Sequence, residues 1–424
     1  MKKSYLWGAF AVMALASCSQ DEVVNIPQSE IKYSVVTNKA SRADDVFCNN
    51  NYPDIFYSSA YFNAGNDTEN PSGTYFVKDK LVKGNIVGQY VNETAKRYWP
   101  QLGSLDVYAY NEDDKTKTAS VEFNWPDNPA ATTPTIDFKV AEDVEDQFDL
   151  LYAVKKGATV GEGNVSLNFR HALSQIVFQA RNENPYIHVV VKEVSIKNVI
   201  GEGIFTYPNT TTVDNVVDHT QNGITDQVPG DNVIFIANQG EWSNYGAATA
   251  GYTANFDDVV LDELDKTYNL TNNVIYQKQG EEVKEFKGEN LSMLLMPQKL
   301  KAYLPNNAAI TENSEGSYFL LDCDIYNIAD VDGKYDAATD VKLYSGPIAI
   351  PVAGVWMQGH KYVYTFVFTK EGNGGIDPDD GDPVLVPIVY NVTVDDFTNE
   401  TETEVDMDSE TIVITEQADP VQGN

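Results

Sequence analysis

Cys18 is the residue with the best-defined chemistry in this sequence. It closes the string Leu15-Ala16-Ser17-Cys18, which follows Met1-Lys2-Lys3 and an apolar run from Leu6 to Ala16. A charged start, a short apolar run and a small-residue junction make a secretory signal. The final four residues match the lipobox, in which the cysteine is lipidated, with palmitate-type chains, and becomes the first residue after cleavage. The apolar run is shorter than the ~20 residues a spanning helix needs, and no later stretch approaches that length. Attachment to a membrane is therefore expected through lipid, and several acyl chains together anchor far better than one.

Other chemistry finds less support. The 63 Asp and Glu residues could supply a carboxylate pair for glycoside hydrolysis, but such pairs are defined in space and no spacing singles one out. His171, His188, His219 and His360 are scattered, with no His-x-x-x-His or Cys-x-x-Cys pattern for a metal. No Gly-x-Ser-x-Gly elbow or phosphate-binding loop appears. Asp377-Pro378-Asp379-Asp380-Gly381-Asp382 offers hard oxygen ligands suited to calcium, yet lacks the distal bidentate Glu, and such strings commonly form hairpin loops. Cys48 and Cys323 are available to pair, but spacing alone does not decide a disulfide. The 25 Tyr and five Trp suit sugar stacking or strand packing, and strand packing is the ordinary use. Asn92-Glu93-Thr94 fits a glycosylation sequon and reads as coincidence. A net charge of −34 argues against nucleic acid, whose phosphates require a basic surface. The chain reads as a non-enzyme with no cofactor.

The elements that would carry these residues are strands. Leu105, Val107 and Ala109 alternate with Asp106, Tyr108 and Tyr110. Ile388, Tyr390, Val392 and Val394 alternate with Val389, Asn391, Thr393 and Asp395. Period two is the mark of a strand. Residues 175–179, 291–296 and 362–368 are apolar on both faces and read as strands packed on both sides. Asn-Gly at 222–223, Asp-Gly at 332–333, and Pro185, Pro208 and Pro297 mark turns between them. The 424 residues, 42% hydrophobic, exceed one usual core and suggest two domains. The pattern predicts an all-β protein built of β-sandwiches. Residues 371–383 read as a Gly/Asp/Pro loop and 398–424 as an acidic tail with one β-prone run, Thr411 to Thr415.

Several short motifs follow one another along the chain: Ser19-Gln20-Asp21-Glu22 after the lipobox, Lys39-Ala40-Ser41-Arg42-Ala43, Tyr98-Trp99-Pro100 with Leu105 to Tyr110, Asp149 to Ala153, Phe169 to Ile176, Trp356 to Tyr362, and Val392 to Phe397. In this order they resemble the motifs of the fimbrillins, pilus subunits of Bacteroides-type bacteria. The first is similar to a surface-export tag and the second to the family's Arg-Ala processing site, while Phe397 stands where Trp is commoner.

The resemblance implies two tandem β-sandwich domains of transthyretin-like, Greek-key type. They would follow a signal peptide at 1–17 and a lipidated segment at 18–42, with the domains at 43–205 and 206–397 and the tail at 398–424. It implies lipidation at Cys18, cleavage between Arg42 and Ala43, and assembly by strand exchange. The leaving strand would carry Ile31, Tyr33 and Val35. The donor would be the tail, through Val405 and Met407 or through Ile412, Val413 and Ile414. The partners implied are other pilus subunits, the outer membrane through the lipid, and a host or bacterial surface ligand; stalk, tip and anchor roles are left open. The physical logic is that a sandwich lacking one strand exposes unpaired backbone that templates another chain, and a head-to-tail joint of that kind does not close. The competing expectation is a surface glycan-binding lipoprotein, which predicts exposed aromatics in a groove. A secreted glycoside hydrolase is the other, and it predicts two facing carboxylates in a cleft.

Overall fold

The computed structural model describes residues 29–36 and 53–396, apart from 67–68, 87, 113–119, 213–238, 272–291, 305–307, 312–313, 329–334, 337 and 371–373. Paired segments are rich in β-branched and aromatic residues, which suit a pleated, half-buried surface. The first sheet contains β1 (Lys32–Val36), β2 (Ile55–Asn63), β3 (Gly73–Lys83), β4 (Gln89–Asn92), β5 (Ser104–Tyr110), β8 (Leu151–Ala158), β9 (Asn164–Asn168) and β10 (Arg170–His171). Its order is β10-β8-β5-β2-β3-β4-β1-β9. Phe56, Leu81, Leu105, Val107, Val165 and Leu167, from four of these strands, meet in one buried cluster. A flat sheet could not bring such distant strands together, so this one curls around its own core.

A second sheet, ordered β14-β13-β7-β6, lies over the outside of the first. It comprises β6 (Ser120–Asn124), β7 (Thr135–Lys139), β13 (Glu202–Thr206) and β14 (Glu241–Ser243). The alternation read in β5 is present, but both faces are covered. Leu105, Val107 and Ala109 enter the inner cluster, while Tyr108 and Tyr110 enter the larger one. Tyr110 stacks on Phe123 at 4.9 Å, and Tyr152 of β8 meets Phe205 at 4.5 Å.

The largest sheet has the order β15-β12-β19-β20-β23-β24-β22-β11-β16, with β17 also on β11. Its strands are β11 (Ser174–Asn182), β12 (Ile187–Val199), β15 (Ala250–Val260), β16 (Thr267–Asn269), β17 (Met293–Leu295), β19 (Tyr318–Asn327), β20 (Val341–Pro351), β22 (His360–Phe368), β23 (Gly374–Ile376) and β24 (Pro383–Asp396). A two-stranded ribbon joins β18 (Gln298–Leu300) to β21 (Gly354–Trp356). The runs read at 175–179 and 362–368 lie side by side in parallel, from Gln175↔Lys361 to Asn182↔Phe368. β24 is half-buried as its alternation indicates, Ile388 being 4% exposed and Val389 39%. The stretch read as one loop at 371–383 contains β23, which bonds to β20 and β24. Pro185 sits in the turn between β11 and β12; the turn signals at 222–223 and 332–333 lie outside the described residues. The larger cluster runs from Tyr108 to Ile388 and takes residues from both sides of position 205.

The all-β expectation holds: the only helical segments among the described residues are two single turns, Val144–Asp146 and Val160–Glu162. Among these residues no helix is long and apolar enough to cross a membrane.

Candidate functional site: the seat of the first strand

β1 reads Lys-Tyr-Ser-Val-Val, and its alternation decides which side chains enter the core. Ile31, Tyr33 and Val35 are 4%, 1% and 6% exposed, while Lys32 points to solvent. Tyr33 meets the ring of Phe56 edge-on at 6.1 Å, and the Ser58 hydroxyl donates to its phenol oxygen at 3.4 Å. Burial pushes the Tyr33 phenol pKa well above its ordinary value. Phe56 also meets Tyr90 at 4.7 Å and Phe169 at 5.2 Å, so an aromatic group lines the middle of the seat.

The backbone of β1 is bonded on both flanks. On one side it runs antiparallel to β4, with Tyr33 opposite Tyr90. On the other it runs parallel to β9, from Lys32↔Asn164 to Val36↔Asn168. Further bonds extend the seat: Ile31 N–H donates to Arg97 O at 2.7 Å, Trp99 N–H to Ser29 O at 2.9 Å, and Val35 N–H to Gly88 O at 2.8 Å. Gly88 has φ +76°, and an added Cβ would lie 3.3 Å from Val35 O. Glycine accepts that backbone and leaves room for the strand.

Among the described residues β9 has no sheet partner except β1. Taking β1 away would therefore expose two unpaired edges facing each other across a gap one strand wide, floored by the apolar residues of the inner cluster. Two such edges invite another strand.

Two residues brace this seat that the sequence reading did not single out. The Asp79 carboxylate is fully buried and accepts from Arg97 Nε at 2.7 Å and Nη2 at 2.8 Å. Asn92 of β4 adds a donor at 2.8 Å. The fork fixes the loop whose carbonyl, at Arg97, receives the Ile31 amide. A signal was present: Asp79 shares a face with Leu81 in β3, where period two places a charge toward the core.

Ile31, Tyr33 and Val35 are thus together in one seat, and β1 ends at Val36, ahead of Arg42. Cys18, Arg42 and Ala43, and the donor candidates Val405, Met407, Ile412, Val413 and Ile414, lie outside the described residues, as do Cys48 and His219. Cys323 is fully buried in β19, and burial pushes its thiol pKa up. In the loop at 377–382, Asp377 Oδ1 accepts from the Asp379 amide and Asp380 Oδ1 from the Asp382 amide, each at 2.9 Å. Among the described residues no three His, Cys, Asp or Glu side chains are grouped to hold a metal ion.

The short sequence motifs adjoin in space. His171 Nδ1 lies 2.5 Å from Asp149 Oδ2, joining the Asp149–Ala153 and Phe169–Ile176 motifs. The amide of Gly359 donates to Leu173 O at 2.8 Å, and Ser174 Oγ donates to Met357 O at 2.9 Å, bringing in the Trp356–Tyr362 motif. Trp356 Nε1 of that motif donates to the hydroxyl of Tyr364, two residues beyond it, at 2.9 Å, and within it His360 Nδ1 is 2.8 Å from Gln358 O. These residues hold strands together.

A family model described as fimbrillin-like matches residues 42–380. The chain belongs to the fimbrillin-like family. Solved structures similar to this fimbrillin-like chain include a fimbrial protein from Bacteroides vulgatus, 12% identical, with a TM-score of 0.48 over 87% of this chain and 99% of that one. A candidate cell adhesion protein from Bacteroides ovatus is 14% identical, with a TM-score of 0.40 over 88% of this chain and 99% of the other. No curated protein matches. The matched region begins at Arg42, so the strand seated between β4 and β9 lies ahead of it.

Proposed function

We propose that this chain is a subunit of a surface pilus, exported as a lipoprotein acylated at Cys18, cut between Arg42 and Ala43, and assembled by strand exchange. Family membership supports the pilus role. The observation that carries the mechanism is the seat of β1: an N-terminal strand, ending ahead of Arg42, that separates two otherwise unpaired edges. Cleavage would detach β1 covalently from the body while leaving β4 and β9 in place, and an incoming strand would recover the backbone bonds and fill the apolar floor. Residues 398–424 are the candidate donor to a neighbouring subunit, through Val405 and Met407 or the run from Ile412 to Ile414. The anchored precursor belongs on the outer-membrane surface, and the processed subunit in the pilus. Two tandem sandwiches of the family's transthyretin-like kind are the domain plan we propose, with β11 and β12 in the sheet they share with β19 and β22.

Limited digestion of the full-length precursor with a trypsin-like protease tests this reading. The expected result is a first cut after Arg42, loss of the fragment carrying β1, and, with other pilus subunits present, multimers that form a ladder on gels run without heating. Clean cutting with no multimer, even with other pilus subunits present, would remove strand exchange from the proposal.

A further inference from the structure

The middle of the β1 seat is shaped for an aromatic ring. Tyr33 is 1% exposed, lies edge-on to Phe56 at 6.1 Å, and accepts a hydrogen bond from the buried Ser58 hydroxyl. Ile31 and Val35 fill the positions on either side. The pattern is aliphatic, aromatic, aliphatic at alternate residues. It reads the same in both chain directions, so it constrains an entering strand whether that strand runs with β9 or against it.

Residues 398–424 do not carry this pattern. They contain no aromatic residue, and nowhere do three apolar residues stand at alternate positions. Val405 and Met407 are followed on the same face by Ser409 and Thr411, and Ile412 and Ile414 are flanked by Glu410 and Glu416. Any register therefore places a hydroxyl or a carboxylate where Ile31, Tyr33 or Val35 is buried, or leaves the ring pocket part empty. Close-packed interiors tolerate such voids poorly, and an unpaired buried carboxylate is worse.

We propose that the seat vacated by β1 accepts a strand from an unlike subunit, one with an aromatic residue between two aliphatic residues at alternate positions, and not residues 398–424 of a second copy. This rests on the strand-exchange reading and specifies its partner. The tail of this chain would then serve a different subunit's seat, which makes the assembly heteromeric at this joint.

The test uses the full chain with a site-specific protease sequence in place of residues 38–43, so the outcome is independent of natural processing. It is cut in the presence of excess fluorescent peptide, and capture is measured by anisotropy and gel filtration. Three peptides are compared: residues 28–37, the same peptide with Tyr33→Ala, and residues 403–416. The expected result is capture of the 28–37 peptide, with the Tyr33→Ala peptide and the 403–416 peptide each at least about tenfold weaker. Binding of the 403–416 peptide within about threefold of the 28–37 peptide would overturn the inference and leave strand exchange standing. Failure to capture even the 28–37 peptide would overturn both.

Discussion

Arg97 grips Asp79 through two parallel hydrogen bonds, Nε at 2.7 Å and Nη2 at 2.8 Å, while its own carbonyl receives the amide of Ile31. One residue thus couples a buried ion pair to the seating of β1. Removing one partner of a buried pair leaves the other charge uncompensated. Arg97→Ala is expected to cost about 3 kcal/mol in urea unfolding, with faster amide exchange at Ile31 than at strands of the largest sheet. Equal acceleration everywhere would show that the pair has no particular hold on β1.

Tyr33 and Lys32 are neighbours in sequence but lie on opposite faces of β1. Tyr33→Ala should destabilise the uncut chain by about 3–5 kcal/mol, as large-to-small changes of buried aromatics do. Lys32→Ala should fall within about 0.5 kcal/mol of the parent. Thermal or chemical denaturation of both variants checks this, and comparable losses would contradict the observed register.

Asp324 ties three adjacent strands of the largest sheet. Lys192 Nζ from β12 and Ser345 Oγ from β20 each approach it at 2.6 Å, and Lys342 Nζ from β20 at 2.9 Å. Burial works to raise its pKa, but these hydrogen bonds outweigh burial and hold the carboxyl well below the usual carboxylate range. A carboxyl with a depressed folded pKa stabilises above its unfolded pKa of about 3.9 and loses that contribution as pH falls toward the folded value. The stability gap between the parent and Asp324→Asn should therefore be widest above about pH 5 and narrow below about pH 4. The two lysines are 32% and 44% exposed, so salt should narrow it too. A gap that widens on acidification would refute the assignment.

Cys323 faces the core of β19 with no exposed surface, and burial raises its pKa. Since the thiolate is the reactive form, alkylation should be negligible in the native chain and should track unfolding across a denaturant series. Mass spectrometry of the modified peptide is the readout. Rapid labelling without denaturant would place this thiol elsewhere.

The inward set Ile31, Tyr33 and Val35 was legible in the sequence because strand period is a local property. The walls of the seat were not. β4 and β9 are short, and what makes them walls is the pairing of residues 32–36 with 164–168, a nonlocal contact that no spacing encodes. Tyr108 and Tyr110 illustrate the same limit. Their alternation marked a strand, but only the overlying sheet with Phe123 and Tyr207 decides that both faces are buried. Asp79 stood in plain view, yet its partner Arg97 lies across a loop, and charge alone does not announce a buried fork.

The placement of β1 between two neighbours also has a mechanical consequence. Ladder bonds lie roughly across the strand direction, so tension along the strand's own axis loads the bonds on both flanks at once instead of peeling them in sequence. A strand held only at a sheet edge has half that grip. On the strand-exchange reading proposed above, a segment taking this seat would inherit a joint that resists pulling end to end.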